Sequence, residues 1–96
     1  MIIRRIVRLE FDPERVAEFV HFFSENKAVI ASFPGCLSLE LFQDDTFEHV
    51  YYTFSTWENA EALESYRQSE TFTKLWSFAK ARFAGKPLAY SLKAVG

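Results

Sequence analysis

Residues 36–57, CLSLELFQDDTFEHVYYTFSTW, decide the fold of this chain because they predict an antiparallel hairpin. Apolar and polar residues alternate in the first half, the polar stretch 43–48 predicts a turn, and the second half is rich in β-branched and aromatic residues. A turn over 43–48 fixes which residues lie opposite each other. The predicted pairs are Phe42 with His49, Glu40 with Tyr51, Ser38 with Thr53, and Cys36 with Ser55.

This register divides the hairpin into two faces, because successive side chains of a strand point to opposite sides. The four predicted pairs and Trp57 share a face that mixes rings with hydrogen-bonding groups. The pattern alone favours helices over the other, apolar face, which leaves the mixed face in water. A mixed face that lines a ligand pocket is the alternative. The apolar face carries six side chains, Leu37, Leu39, Leu41, Val50, Tyr52 and Phe54.

The segment before the hairpin predicts a strand followed by a helix. Residues 2–11, IIRRIVRLEF, are rich in β-branched and aromatic types and end at Asp12 and Pro13, which are favoured at a helix start. The helix is expected to end near residues 33–35, FPG. Apolar residues recur along it at helical spacing. This stripe consists of Val16, Phe19, Val20, Phe23 and Ile30.

The segment after the hairpin predicts helices and a last strand. Residues 58–68, ENAEALESYRQ, predict a short helix, and Ser69 can cap a second one that ends by Gly85. Pro87 then opens a strand over 88–95, LAYSLKAV. The order β-α-β-β-α-β predicts a ferredoxin-like α+β fold, with helices across one face of a four-stranded antiparallel sheet. The second helix carries an apolar stripe of Phe72, Leu75, Trp76, Ala79 and Phe83.

Length and composition indicate one small domain with many rings to bury. A chain of 96 residues has room for a single core. Aromatic residues make up 18% of it, including 11 Phe, which is more than so small an interior readily hides. We therefore expect either a pocket or a partner subunit to cover the excess.

Charge and cysteine content argue against several classes of function. The 11 basic and 13 acidic residues are spread along the chain, so no basic patch predicts binding to nucleic acid or to an anionic membrane. No apolar run predicts a transmembrane helix or a signal peptide. The single cysteine, Cys36, excludes an internal disulfide and suits a reducing cytoplasm.

Three motifs, in their order and spacing, resemble the antibiotic biosynthesis monooxygenase family over nearly the whole chain. They are the turn 34–38, PGCLS, the strand end Trp57-Glu58, and the helix start Ser69-x-x-Phe72. The resemblance implies a homodimeric α/β barrel, in which two ferredoxin-like subunits join sheet to sheet and each keeps a pocket between its sheet and its helices. It also implies that the Trp57 side of the sheet faces the pocket and that the six apolar side chains face the partner.

By this resemblance, aromatic and hydrogen-bonding side chains line a pocket for a small aromatic ligand. Trp57 is the strongest candidate, because the family's matching tryptophan borders the pocket and can stack on a flat substrate. A ring at a strand end that only packs is the alternative, and packing against the sheet is the ordinary role for Trp76. The predicted pocket residues are Tyr51, Thr53, Ser55, Trp57, Tyr66, Phe72 and Trp76.

His49 and Glu40 are the candidate catalytic residues. The predicted register puts them on one face, where either could accept a proton from a phenol. A solvated histidine near the turn is the alternative for His49. We predict no metal site, because His21 points away from the sheet and leaves one histidine and one carboxylate, and the resemblance implies that no cofactor is used. Cys36 and His49 lie too far apart along the hairpin to form a nucleophilic pair.

The resemblance implies oxidation of an electron-rich aromatic, phenolic or quinone-like compound by O2 without flavin, haem or metal. The chain departs from that pattern at Thr53, where an asparagine is expected, and at Leu63, where a tyrosine is expected. The haem-degrading branch fits worse, because Val7 and Trp76 stand at its asparagine and its iron-binding histidine, and an indole N–H cannot ligate iron. The alternative function is a non-catalytic ligand-binding or interaction module of the same dimeric fold.

Overall fold

Four antiparallel strands and three helices form this chain, as described over residues 1–96 by a computed structural model. The elements are β1 (Ile3–Glu10), α1 (Val16–Ala31), β2 (Cys36–Gln43), β3 (Val50–Trp57), α2 (Ala60–Arg67), α3 (Glu70–Lys80) and β4 (Leu88–Leu92). The strands lie in the order β2-β3-β1-β4, and each neighbouring pair is antiparallel. The predicted ferredoxin-like α+β fold is therefore confirmed.

Side-chain caps begin two of the three helices. The Asn59 side chain accepts a backbone N–H of α2 at 2.8 Å, and Ser69 Oγ accepts the Phe72 N–H at 3.1 Å, as predicted for α3. Helix α1 begins at Val16, later than predicted, after a turn in which Asp12 Oδ1 accepts the Glu14 N–H at 2.9 Å. None of the helices has the length and apolar character needed to cross a membrane.

The hairpin of β2 and β3 is present, but its predicted register is wrong. Tyr51 pairs with Gln43 instead of Glu40, a displacement of three residues along β2. Because this displacement is odd, the side chains of β2 exchange faces relative to β3. A bulge between residues 36 and 38 interrupts the ladder near its other end. The observed pairs are Gln43 with Tyr51, Phe42 with Tyr52, Leu41 with Thr53, Glu40 with Phe54, and Leu39 with Ser55.

Asp44 closes the turn of the hairpin with both carboxylate oxygens. Its Oδ1 accepts the N–H groups of Thr46 and Phe47 at 2.9 and 3.0 Å, and its Oδ2 accepts the Tyr52 hydroxyl at 3.0 Å. The Asp44 N–H in turn donates to the Val50 carbonyl at 2.8 Å. The turn therefore spans 44–49 instead of the predicted 43–48.

The Trp57 side of β3, and not the side predicted from the pattern alone, lies beneath the helices. Trp57 is 0% exposed and Ser55 is 9% exposed, whereas Phe54, on the other side of the strand, is 40% exposed. Leu9 of β1 and Phe19 of α1 pack in the same buried cluster as Trp57. We call the side of the sheet that carries Leu9, Ser55 and Trp57 the inner face, and the opposite side the outer face.

The exchange of faces corrects part of the predicted subunit interface. Leu39 belongs to the buried core and Leu41 packs against that core, so both lie on the inner face and not toward a partner. Val50 is 1% exposed and offers no surface either. The predicted interface residues that keep exposed surface are Leu37, Tyr52 and Phe54.

Candidate functional site

A cavity of about 300 Å³ lies between the inner face and the helices. Fourteen of its 19 lining residues are hydrophobic, so a bound compound would meet mostly apolar walls and few polar groups. All four strands supply one wall, and helices α1, α2 and α3 supply the other. The lining residues outside the hydrophobic set are Arg5, Thr53, Ser55, Arg67 and Pro87.

Trp57 is a fixed part of the sheet wall. Its indole Nε1–H donates to Ser55 Oγ at 2.9 Å, two residues earlier on the same side of β3. The Tyr66 ring of α2 stacks on the indole, with ring centroids 5.0 Å apart and planes at 25°. The hydrogen bond satisfies the buried N–H, and the stack restricts rotation of the ring. Trp57 is therefore held rigidly within the sheet wall of the cavity, beneath the Tyr66 ring.

Helix α3 supplies a second aromatic surface. Phe72 and Trp76, one turn apart, stack with centroids 5.9 Å apart and planes at 12°. Tyr66 meets Phe72 edge-on at 5.3 Å, and Phe83 meets Trp76 edge-on at 5.5 Å. The capped start of α3 at Ser69 fixes the helix whose stripe carries these rings. Aromatic rings therefore continue from the β3 wall of the cavity to its α3 wall.

The Tyr66 hydroxyl is a neutral hydrogen-bond donor within this aromatic region. Tyr66 is 7% exposed, and this burial raises the pKa of its phenol well above the ordinary value, with a smaller contribution from nearby Cys36. No hydrogen bond within the chain occupies the hydroxyl. It therefore stays protonated at neutral pH and can donate to an oxygen atom of a bound compound.

Arg5 and Arg67 bring positive charge to the partly exposed side of the cavity. Arg5 stands opposite Ser55 in β3 and Ser91 in β4, and its Nη1 donates to Ser91 Oγ at 2.9 Å. Burial lowers the pKa of Arg5, the Arg67 charge lowers it further, and Glu64 partly opposes both effects. Arg67 Nη1 pairs with Glu64 Oε2 at 3.2 Å. Glu64 thus forms an ion pair with Arg67 and only partly offsets the charge of Arg5.

The two candidate catalytic residues do not border the cavity. Glu40 is exposed and pairs with Phe54 on the outer face, and His49 lies in the turn, with Nε2 3.9 Å from Glu10 Oε2. No carboxylate or imidazole is among the lining residues. A general base must come within hydrogen-bond reach of its proton, so this geometry supports neither His49 nor Glu40 as a base for a compound bound there.

Six of the seven predicted pocket residues line the cavity, and Tyr51 does not. Tyr51 instead packs edge-on against Phe11 and borders a separate hollow near His49. No group of three or more His, Cys, Asp or Glu side chains is arranged to hold a metal ion. Predicted pocket residues on the cavity wall are Thr53, Ser55, Trp57, Tyr66, Phe72 and Trp76.

Sequence reasoning missed Arg5 and Arg67. Strand alternation contains a signal for Arg5, because it shares the parity of Val7 and Leu9, which point toward the helices. The signal for Arg67 is its spacing from Leu63, one helical turn earlier, which is also on the cavity wall. Both residues look like solvated charges when composition alone is considered.

The chain matches the family model for antibiotic biosynthesis monooxygenase over residues 2–75. No curated protein matches it. Among solved structures, it is similar to a protein from Caulobacter crescentus CB15 that is provisionally named an antibiotic biosynthesis monooxygenase. The identity is 29% and the TM-score 0.90, and the alignment covers 99% of this chain and 91% of that chain.

Two further structures with the same provisional name share the fold at lower identity. The Bordetella bronchiseptica protein is 21% identical with a TM-score of 0.85, over 98% of this chain and 97% of that chain. The Nitrosomonas europaea protein is 8% identical with a TM-score of 0.91, over 98% of this chain and 90% of that chain. The fold is therefore retained where little sequence identity remains.

Proposed function

The chain belongs to the antibiotic biosynthesis monooxygenase family, and from this premise we propose that it oxidises a small aromatic, phenolic or quinone-like compound with O2, without metal, flavin or haem. The observation that carries the proposal is the cavity of about 300 Å³ with aromatic walls on β3, α2 and α3. Such a site holds a flat, electron-rich molecule away from bulk water.

In this reaction the organic substrate supplies the electrons. An ionised phenol is electron-rich enough to reduce O2, and one oxygen atom forms a new carbonyl on the ring. The second oxygen leaves as water with the ring hydrogen and the phenolic hydrogen, so a phenol and O2 give a quinone and water. The protein has to orient the ring, exclude water and stabilise the anion. The stacked Phe72 and Trp76 rings support orientation of the ring, and the Tyr66 hydroxyl supports stabilisation of the anion.

A non-catalytic ligand-binding module of the same fold is the second candidate. The observation that favours it is the lack of any carboxylate or imidazole on the cavity wall. A compound that binds there keeps its proton unless the site itself stabilises the ionised form. The haem-degrading alternative gains no support, because Val7 and Trp76 line the cavity and neither histidine does.

Oxygen uptake with a panel of phenols and hydroquinones, without added cofactor, tests the proposal. We expect at least one compound to give uptake of one O2 per molecule with no hydrogen peroxide released, and a Trp76→Ala variant to weaken its binding by about 1 to 3 kcal/mol. Phe47→Ala is a matched control, since Phe47 is an exposed ring in the turn and does not line the cavity. Saturable binding without oxygen uptake would favour the module.

We further propose that two copies associate through the outer face. The apolar residues exposed there form a surface that the chain's own helices do not cover, which supports burial against a second copy. Arg8 and Glu10, charged residues of the same face, pair with each other at 3.4 Å. A cytoplasmic location is part of the proposal and is supported by the free thiol of Cys36. The exposed apolar residues of the outer face are Phe42, Phe54, Leu88, Tyr90 and Leu92.

A further inference from the structure

We propose that Arg5 and Arg67 together bind an anionic oxygen group, a carboxylate or an ionised phenol, carried by the aromatic compound that occupies the cavity. The proposal rests on the ligand cavity of the proposed function, and it specifies the chemical class of the compound. It does not depend on whether the compound is oxidised. A ring with an acidic substituent would place its apolar part against the aromatic walls and its charge against the two guanidinium groups.

Arg5 is an unusual residue to find on the inner face. Strand alternation turns it toward the helices, and it is partly buried, as its lowered pKa reflects. Removing a cation from water is costly unless an anion or several hydrogen bonds replace the water. Within the chain, Arg5 has one side-chain hydrogen bond, to the neutral Ser91 Oγ, and no carboxylate partner. Its guanidinium therefore retains donors for a ligand.

Arg67 increases the positive charge on the same side of the cavity. It lies close enough to Arg5 to lower the pKa of that residue, and the two repel each other. Glu64 neutralises only part of this charge, since one of its oxygens pairs with Arg67 and the other accepts from Gln68 at 3.0 Å. A ligand anion near both guanidinium groups would remove the repulsion and satisfy the unused donors.

The two arginines also compensate for the lack of a general base on the cavity wall. Positive charge beside a bound phenol favours its ionised form, so the compound can lose its proton to water and remain bound as the anion. No carboxylate of the cavity wall competes for the arginines, because none lines it. The Tyr66 hydroxyl, protonated at neutral pH, adds a neutral donor and no negative charge.

Two probes of nearly equal shape separate charge from ring recognition. 2-Naphthoate carries a carboxylate, and 2-naphthamide carries a neutral amide at the same position. We expect 2-naphthoate to quench tryptophan fluorescence with an affinity about tenfold or more above that of 2-naphthamide. Arg5→Gln and Arg67→Gln should each reduce this ratio about tenfold and leave 2-naphthamide binding unchanged. Lys27→Gln, which removes a positive charge from an exposed position of α1, should preserve the ratio.

A phenol probe tests whether the two arginines also bind an ionised phenol. The absorption spectrum of 4-nitrophenol reports its ionisation, and we expect its apparent pKa to fall on binding to the wild-type protein but not to Arg67→Gln. Equal binding of 2-naphthoate and 2-naphthamide, or an unchanged ratio in both arginine variants, would overturn the proposal and leave the cavity and its oxidation chemistry standing. Failure of both naphthalene probes to bind would overturn it together with the cavity. Thermal unfolding of each variant verifies that it is folded.

Discussion

The hydrogen bond between Trp57 and Ser55 links the sequence of β3 to the shape of the cavity. The two residues are on the same side of the strand, and both are buried. Without Ser55, the buried indole N–H would have no acceptor within the chain. The small polar residue at position 55 thus allows the large ring at position 57 to be fully buried.

Replacement of Ser55 by alanine tests this dependence. The variant leaves the Trp57 N–H buried without its acceptor, so we expect the free energy of unfolding to fall by about 1 to 3 kcal/mol. Urea denaturation monitored by tryptophan fluorescence measures the change. Ser77→Ala is the control, because Ser77 is exposed on α3 and its side chain has no hydrogen bond, so its effect should stay within about 0.5 kcal/mol. Equal stabilities of the two variants would contradict the role of Ser55.

The elements of this fold were predictable because each has a strong local signal. The stripe of α1, the Ser69 cap of α3 and the alternation in β2 and β3 depend only on residues close in sequence. The register of the hairpin was not predictable in this way. Asp44 and Asp45 are chemically equivalent in the sequence, and the choice of Asp44 depends partly on Tyr52, which reaches it only after the strands pair.

The candidate site was predictable to a similar extent and for similar reasons. Trp57 and Trp76 were found through their motif and their helical stripe. The odd error in the predicted register places Glu40 on the wrong face. Alternation turns Arg5 toward the helices but does not show that β4 and α2 meet it there. Contacts between elements distant in sequence are therefore the part that local patterns do not contain.

Asp44→Ala tests whether the Asp44 carboxylate stabilises the turn of the hairpin. Backbone N–H groups of Phe47 and Thr46 hold the pKa of the Asp44 carboxyl below its usual range, and we expect the variant to have a lower melting temperature at pH 7. The pKa is depressed in the folded state, so the stabilisation is complete above the ordinary value of about 3.9 and is lost as the pH falls through the folded value.

The difference in melting temperature between wild type and Asp44→Ala should therefore shrink in acid. Asp45→Ala is the matched control, since it removes the neighbouring exposed carboxylate, which has no hydrogen bond within the turn. A difference that is the same at pH 7 and at pH 3, or an Asp45→Ala variant that behaves like Asp44→Ala, would show that Asp44 does not close the turn through its ionised carboxylate.

The whole molecule has two apolar surfaces that share one sheet. The inner face is covered by three helices that leave a cavity, and no helix covers the outer face. The high aromatic content predicted either a pocket or a partner subunit, and this architecture provides a place for each. On the outer face, Phe42 and Phe54 meet edge-on at 5.2 Å, and Tyr90 lies beyond Ile6 on the far side of β1.

Phe54→Asp tests whether this outer face joins two copies. A buried phenylalanine contributes roughly 1.5 to 3 kcal/mol, and an unpaired charge in an apolar contact adds a further penalty. We therefore expect sedimentation to show a dimer for the wild type and a folded monomer for Phe54→Asp at the same concentration. Phe47→Asp makes the same chemical change at an exposed position in the turn and should remain dimeric.

Leu39→Asp distinguishes the two faces of the sheet in the same experiment. Leu39 is 9% exposed and packs in the core of the inner face, so a charge there should unfold the chain, whereas Phe54→Asp should only separate the copies. Circular dichroism on both variants reports the fold, and sedimentation reports the assembly. A monomeric wild type, or a Phe54→Asp variant that remains a dimer, would contradict association through the outer face. A folded, monomeric Leu39→Asp variant would instead mean that the leucines of β2 contact the partner, as the register predicted from the sequence implies.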